Sequence, residues 1–261
     1  SKMDLTANSC KVVVFGGLAK TGTTLPLTLL DGNSNLTVFP EELRFFHFGL
    51  DMLDSEDAAQ VFLNSRHCQL LSESMTYFSK DDYMAHGGTG FGKRDYSCFD
   101  FEMFSDLVYS GFKKSSDSEQ RLNSIINAFK LASGEGCADW KRPFVCKAPH
   151  NEIHSEKWAA MLKDRGQYII STRVPTEHFV SLNNISKISG SPKQSTLRYV
   201  DTVILRVEMW KNFPSQDTIV IDYDNLIKNT DQVMKMLCEF IGVKKEPINS
   251  YPSKMKVEWA G

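Results

Sequence analysis

Three groups of residues, far apart in the chain, have the types and spacing to hold phosphate. The first is Gly17-Leu18-Ala19-Lys20-Thr21-Gly22-Thr23-Thr24. It follows a short apolar run and opens a helix-like one, where a glycine-rich turn can wrap a phosphate with backbone N–H groups. Its spacing is that of a phosphate loop, but Thr23 stands where a nucleoside-triphosphatase loop has lysine. The positive charge sits instead at Lys20, inside the loop. The second group is Ser171-Thr172-Arg173-Val174-Pro175, with Ser181 following. A guanidinium fork donates two parallel hydrogen bonds to a phosphate, and a hydroxyl two turns into the next helix can reach the same group from the other side. The third is Val145-Cys146-Lys147-Ala148-Pro149, a lysine closing an apolar run. Taken singly, each also reads as an ordinary tight turn or surface cation.

Together they do chemistry only if one scaffold brings them together. Lys11–Gly16 reads as a buried strand that stops at two glycines, and Thr23–Leu30 as the helix after it. Leu36–Phe39, closed by Pro40, is a second strand; Pro143–Cys146, Gln167–Thr172 and Thr218–Ile221 are three more. Between them lie helical patterns: Gln120–Leu131 (apolar at Leu122, Ile125, Ile126 and Phe129), a helix carrying Trp158–Leu162, one opening at Pro175, and the spans Leu197–Trp210 and Val233–Ile241. Strands alternating with helices imply an α/β fold with a largely parallel central sheet. Such sheets bind ligands at the carboxyl ends of their strands, where Lys20, Lys147 and Arg173 are all expected. The span Asp51–Phe112 mixes polar helical pieces with loops. Its glycine-rich stretch from His86 to Gly92 reads as a mobile loop of an acceptor lid, because no strand precedes it. Tyr96, Phe99, Phe101, Phe104 and Tyr109 read as core.

The chain has 261 residues, with 30 basic against 32 acidic side chains and a formal charge of −2. It is long enough for a full core. The charge balance argues against a general nucleic-acid binder. No apolar run approaches the roughly 20 residues of a membrane span. The first residues lack a signal-peptide pattern, so a cytoplasmic enzyme is expected; a catalytic domain cut from a membrane-anchored enzyme would look the same. The six cysteines show no CxxC and read mostly as buried reduced thiols. His150 and His154 have the spacing of a metal pair, but Asn151 holds the position of the glutamate in HExxH, and no metal is expected.

At these residues the chain resembles sulfotransferases that use 3′-phosphoadenylyl sulfate (PAPS). Lys20-Thr21-Gly22-Thr23-Thr24 resembles their 5′-phosphosulfate loop. Arg173 and Ser181 match their 3′-phosphate site, and Val220–Leu226 followed by a helix ending Phe240–Val243 resembles their late strand–loop–helix signature. The resemblance is closest to the branch with the tyrosylprotein, heparan-type and bacterial enzymes, where a Glu-Glu-x-Arg stretch follows the first helix. Here that stretch is Glu41-Glu42-Leu43-Arg44. The resemblance implies one sulfotransferase domain over residues 1–261, with a nucleotide-kinase-like parallel sheet and an acceptor-side insertion at 51–116. It implies Glu42 as base, with Lys20 and Lys147 stabilising the leaving group. The donor would be held by Lys20, Thr21, Gly22, Thr23, Thr24, Arg173, Ser181 and Tyr223, and the acceptor met by Glu42, Arg44, His47 and His150. PAPS would be the donor, PAP the product, and no metal would be needed; the acceptor would be a small molecule or glycan. The common Arg-Asp-Pro is Arg173-Val174-Pro175 here. The glycine-rich C-terminal segment of cytosolic relatives is absent, so the tail Ser253–Lys256 would have to supply its charge. A metal-dependent phosphate-loop kinase and a non-catalytic nucleotide-binding relative are the rival readings. Useful strength in Glu42 as a base calls for a pKa above the exposed value of ~4.3.

Overall fold

The computed structural model describes residues 4–73, 75–78, 92–136, 139–190, 192–254 and 257–258. The stretch His86–Phe91, Cys137, Met255 and Lys256 lie outside the described residues.

Strand β1 (Val12–Gly16) is buried throughout, which is why its sequence is a continuous apolar run rather than an alternating one. It forms the centre of a five-stranded sheet with β2 (Thr37–Glu42), β5 (Phe144–Lys147), β6 (Gly166–Thr172) and β7 (Thr218–Asp222). Two further strands, β3 (Met75–Phe78) and β4 (Gly92–Asp95), pair with each other as an antiparallel ribbon. The order in the main sheet is β2-β5-β1-β6-β7, and every pairing is parallel. All five strands therefore end at the same edge, and that edge carries Glu42, Gly16, Lys147, Thr172 and Asp222.

Alternation along β1 divides the core. Val13 and Phe15 pack on one face with Leu27, Leu29 and Leu30 of helix α1 (Thr24–Leu30), and with Val233, Met234, Leu237 and Ile241. Val12 and Val14 pack on the other face, against Phe62 of α2 (Ser55–Leu63), which precedes the short α3 (Arg66–Gln69). Beside them pack Phe104 and Val108 of α4 (Phe101–Lys114), Ile125 and Phe129 of α5 (Ser118–Ala132), and Trp158 of α6 (Ser155–Leu162). Helices α7 (Pro175–Ser189), α8 (Thr196–Trp210), α9 (Tyr223–Lys228) and α10 (Thr230–Ile241) follow the later strands. Pro26 falls within the first turn of α1, where its missing N–H is one of the donors a helix leaves unpaired anyway.

The second strand differs from the sequence expectation. It does not close at Pro40 but runs on to Glu42, with a register break between Val38 and Glu42. Proline is tolerated there because β2 is an edge strand. Glu41 and Glu42 thus belong to the strand end. Of the aromatic residues expected in the core, Tyr96, Phe99 and Phe104 are buried and Phe101 packs on the cluster, but Tyr109 faces solvent. Cys10, Cys68, Cys146 and Cys238 are buried and unpaired, and Cys98 is exposed and unpaired. Among the described residues no helix is long and apolar enough to cross a membrane.

Candidate active site

The loop between β1 and α1 needs three left-handed residues: Gly17 at φ +128°, Lys20 at +70° and Gly22 at +83°. Glycine takes such angles freely, whereas Lys20 holds one only because its surroundings enforce it. Those surroundings are visible. The Thr21 hydroxyl donates to Leu18 O at 2.6 Å, and Ser171 Oγ donates to Thr21 O at 2.6 Å. The Gly17 N–H donates to buried Glu152 at 2.9 Å, and the His150 N–H donates to Gly17 O at 2.8 Å. His178 spans Ala19 O and Tyr199 Oη, at 2.9 Å each. A carbonyl only accepts, so Nε2 carries the proton and Nδ1 accepts from the tyrosine hydroxyl. Burial lowers the pKa of His178, which keeps this neutral tautomer in place.

Lys20 also lines a cleft of about 310 Å³ with Arg173, Glu177, Val180, Ser181, Asn184 and Ile185. Arg173 directly follows β6 and Ser181 lies on α7, and both line this one cavity. Arg173 sits 5.1 Å above the Tyr223 ring, and that ring lies directly against Gly22. Tyr223 opens α9, whose N-cap Asp222 accepts the Asn225 N–H at 2.7 Å. A larger surface depression, lined by Lys228–Gln232 and Ser250, contains none of these residues.

A second cluster is built around Glu42. Glu42 and Lys147 are register partners on adjacent strands, with Lys147 Nζ 3.4 Å from Glu42 Oε1. The same ammonium donates to Thr24 Oγ1 at 3.0 Å. Arg44 approaches Glu42 Oε2 at 2.6 Å, and His67 Nε2 lies 3.1 Å from the same oxygen. Burial pushes the Glu42 carboxyl up, but Lys147, then His67 and Arg44, outweigh it and hold the group well below the ordinary carboxylate range. This is opposite to the elevated value a strong base calls for. Lys147 is the cation on Glu42, while Lys20 faces the Arg173 cleft, so the three expected cations divide between two subsites. Thr23, the N-cap of α1, makes no capping hydrogen bond through its side chain. Lys254 does not extend over a phosphate: it is buried and donates to Pro40 O and Glu41 Oε1, at 2.9 and 3.0 Å.

His47 and His150 lie beside this cluster. His47 is at the rim, its ring 4.7 Å from that of His154. Partial burial, then His154 and Arg44 on His47 and Arg206 on His150, bring both pKa values down to about 4. His154 is lowered too, chiefly by burial. Between the ordinary value near 6.5 and these lower ones, the unfolded chain binds protons that the folded chain refuses, so stability falls as pH falls through that window. Glu42 adds to the loss only below its ordinary value of 4.5. Urea midpoints should therefore be lower at pH 5 than at pH 7, and the difference should shrink in His47→Gln/His150→Gln. A difference unchanged in that variant would remove these rings as its origin.

A family model described as the sulfotransferase family matches residues 13–247. The chain belongs to the sulfotransferase family. A search of curated proteins found no match. Among solved structures, this sulfotransferase superposes on the sulfotransferase domain of the Synechococcus PCC 7002 olefin synthase with a TM-score of 0.56 at 15% identity, covering 95% of this chain and 78% of that one. The sulfotransferase from Alicyclobacillus acidocaldarius gives 0.52 at 13% identity, with 97% and 87% covered. The sulfotransferase domain of the curacin biosynthetic pathway gives 0.50 at 17%, with 93% and 77% covered. At such identities these likenesses establish the shared fold, and the family match establishes the class of transferase. Within this sulfotransferase, sequence reading named residues of both clusters but not His67, which sits on a four-residue helix with no spacing signal. It also missed Glu152 and the bracing roles of Ser171 and His178.

Proposed function

We propose that this sulfotransferase moves a sulfonate from PAPS to a hydroxyl or amine of a small-molecule or glycan acceptor, releasing PAP. One observation carries the reading. Lys147 bridges the start of α1, at Thr24, and the carboxylate of Glu42, so a cation stands between the phosphate loop and a base. The cleft suits the donor's phosphate: Arg173 Nε is buried with no hydrogen-bond partner among the described residues, beside Lys20 and Ser181. When bound, the donor supplies the sulfonate and a phosphate leaving group. Arg173 and Ser181 hold its 3′-phosphate, with Tyr223 packed beneath Arg173. Backbone N–H groups of Gly22, Thr23 and Thr24 hold the 5′-phosphate, helped by Thr21. Lys20 and Lys147 stabilise charge growing on the bridging oxygen. These fixed cations take the role that Mg²⁺ has in phosphoryl transfer, so the reading calls for no metal. Glu42 accepts the acceptor's proton. Its low pKa comes first from Lys147 and then from His67 and Arg44, so turning that ammonium toward the leaving oxygen returns part of the basicity to the carboxylate. Arg44, His47 and His150 face the acceptor. His67 reaches Glu42 from within residues 51–116, which supports an acceptor-side role for that insertion.

Calorimetric titration with PAP, beside ATP and ADP and without metal, tests the reading. PAP should bind in preference to both, and Arg173→Ala should weaken it about 10–100-fold, the worth of a charged hydrogen-bonded contact. ATP binding that requires Mg²⁺ and ignores the 3′-phosphate would replace the reading with the kinase.

A further inference from the structure

Glu41, the residue before Glu42, turns to partners of its own. Its Oε1 accepts from the Tyr96 hydroxyl and, at 3.0 Å, from Lys254 Nζ. Both members of the ion pair are only 4% exposed. Lys254 belongs to β8 (Ser253–Lys254), which pairs antiparallel with β9 (Val257–Glu258). Tyr96 directly follows β4 and lies within residues 51–116, the segment that also sends His67 to Glu42. Each glutamate therefore takes one partner from that segment.

The backbone at this point is irregular. Between Val38 and Glu42, β2 sets three residues, Phe39, Pro40 and Glu41, against the single Cys146 of β5. A bulge interrupts the ladder and re-aims the side chains beside it. Here the side chain that follows is Glu42, which returns to register opposite Lys147. Lys254 also donates to Pro40 O at 2.9 Å, inside the irregular stretch. One ammonium thus grips both the bulged backbone and the carboxylate next to Glu42. A buried ion pair is a weak source of stability, because taking two charges out of water offsets their attraction. It is a stronger source of position, because any displacement leaves a charge without its partner and out of reach of water.

We propose that Lys254 and Glu41 are positioning residues for the base. The pair pins the bulged end of β2, which keeps the Glu42 carboxylate opposite Lys147, and Tyr96 ties the acceptor-side segment to the same point. The proposal rests on the reading of Glu42 as the base and deepens it. Lys254 and Glu41 act through Glu42 and have no part in holding the donor.

The test is a pH titration of the full chain carrying carbon-13 at its glutamate carboxyls, with Glu42→Gln assigning the Glu42 resonance. Glu42 faces Lys147, His67 and Arg44, which hold its pKa low. Glu41→Gln/Lys254→Met removes both charges together and leaves Tyr96 an amide oxygen to donate to. A slackened strand end draws the carboxylate away from Lys147, so the Glu42 midpoint should rise by about 1 unit. PAP release from PAPS should slow about 10–10²-fold, the scale of a misplaced reacting group. PAP affinity should hold, since Lys20, Arg173 and Ser181 line a separate cleft. Lys254→Gln keeps an amide donor in the slot and should show the same rise at smaller amplitude; it decides alone if the double variant does not fold. A Glu42 midpoint that stays put in a folded variant overturns the proposal and leaves the pair a structural one. A fall in PAP affinity that matches the fall in rate also overturns it, because the whole site has then loosened. Should PAP fail to bind the unmodified chain, the donor reading falls, and the carboxyl titration, which needs no donor, still decides the positioning of Glu42.

Discussion

Replacing Lys147 by methionine is expected to slow PAP release from PAPS by about 10²–10³-fold, the usual cost of removing one preorganised group from a developing oxyanion. The residue is buried at the end of β5 and shared between Thr24 Oγ1 and Glu42 Oε1. Methionine fills the same space without charge, so the change isolates electrostatics from packing. Stability should suffer less than activity. Stripping one partner from a buried ion pair costs roughly 3–5 kcal/mol when the other is left uncompensated. Glu42 is not left so, because Arg44 at 2.6 Å and His67 at 3.1 Å remain.

The same substitution changes the pH profile in a definite direction. Lys147 is the foremost group holding the Glu42 carboxyl low, so removing it lets burial push that carboxyl up. The acid limb of the residual rate should move to higher pH. Lys147→Arg should not restore turnover, since a guanidinium fork does not fit a slot shaped for an ammonium between two oxygens. Rates of PAP release between pH 4 and 9 measure both effects. An unchanged acid limb would show that Glu42 does not govern it, and an unchanged rate would remove Lys147 from the chemistry.

What the sequence made legible is what depends on neighbours along the chain. The buried run Val12–Phe15, the glycines flanking Lys20, and Pro175 at the start of α7 each state a local conformation, and each is found in place. The spacing of Arg173 and Ser181 survives because it crosses only a strand end and two helical turns. Glu42 marks where this kind of reading stops. A proline followed by two glutamates describes a helix start as well as an edge-strand end, and only the sheet order decides between them. Its partners Lys147 and His67 come from elements whose order and register leave no mark in local pattern. Arg206 is the same case: along the sequence it is one arginine on a helix, and only the fold sets it 3.9 Å from Glu152.

Gly22→Ala is expected to abolish measurable PAP binding, a loss of more than about 10²-fold, for two reasons that can be separated. The first is local. Gly22 sits at φ +83°, a region where an added Cβ costs on the order of 1–3 kcal/mol wherever the structure holds it. The second is a collision. A Cβ at this position would lie 2.0 Å from Tyr223 Cδ2, 2.5 Å from Cε2 and 2.7 Å from Cγ. A ring cannot bend aside as a flexible chain end does, and this one is covered by Arg173 on one face and starts a helix tied down by Asp222. The loop must therefore move off Tyr223 or the tyrosine must leave Arg173, and either displaces groups assigned to the donor. Tyr223→Ala in the Gly22→Ala background removes the collision and leaves the backbone cost, so it should recover part of the affinity and never all of it. Gly17 supplies the contrast. At φ +128° its added Cβ would meet the Ser171 backbone carbonyl at 2.5 Å, and no side-chain truncation relieves that contact. Calorimetry on the four combinations at positions 22 and 223 yields the coupling between them. Coupling near zero would mean that the backbone angle alone sets the loop. PAP affinity untouched by Gly22→Ala would mean that this loop is not where the phosphate binds, and the donor assignment would fall with it.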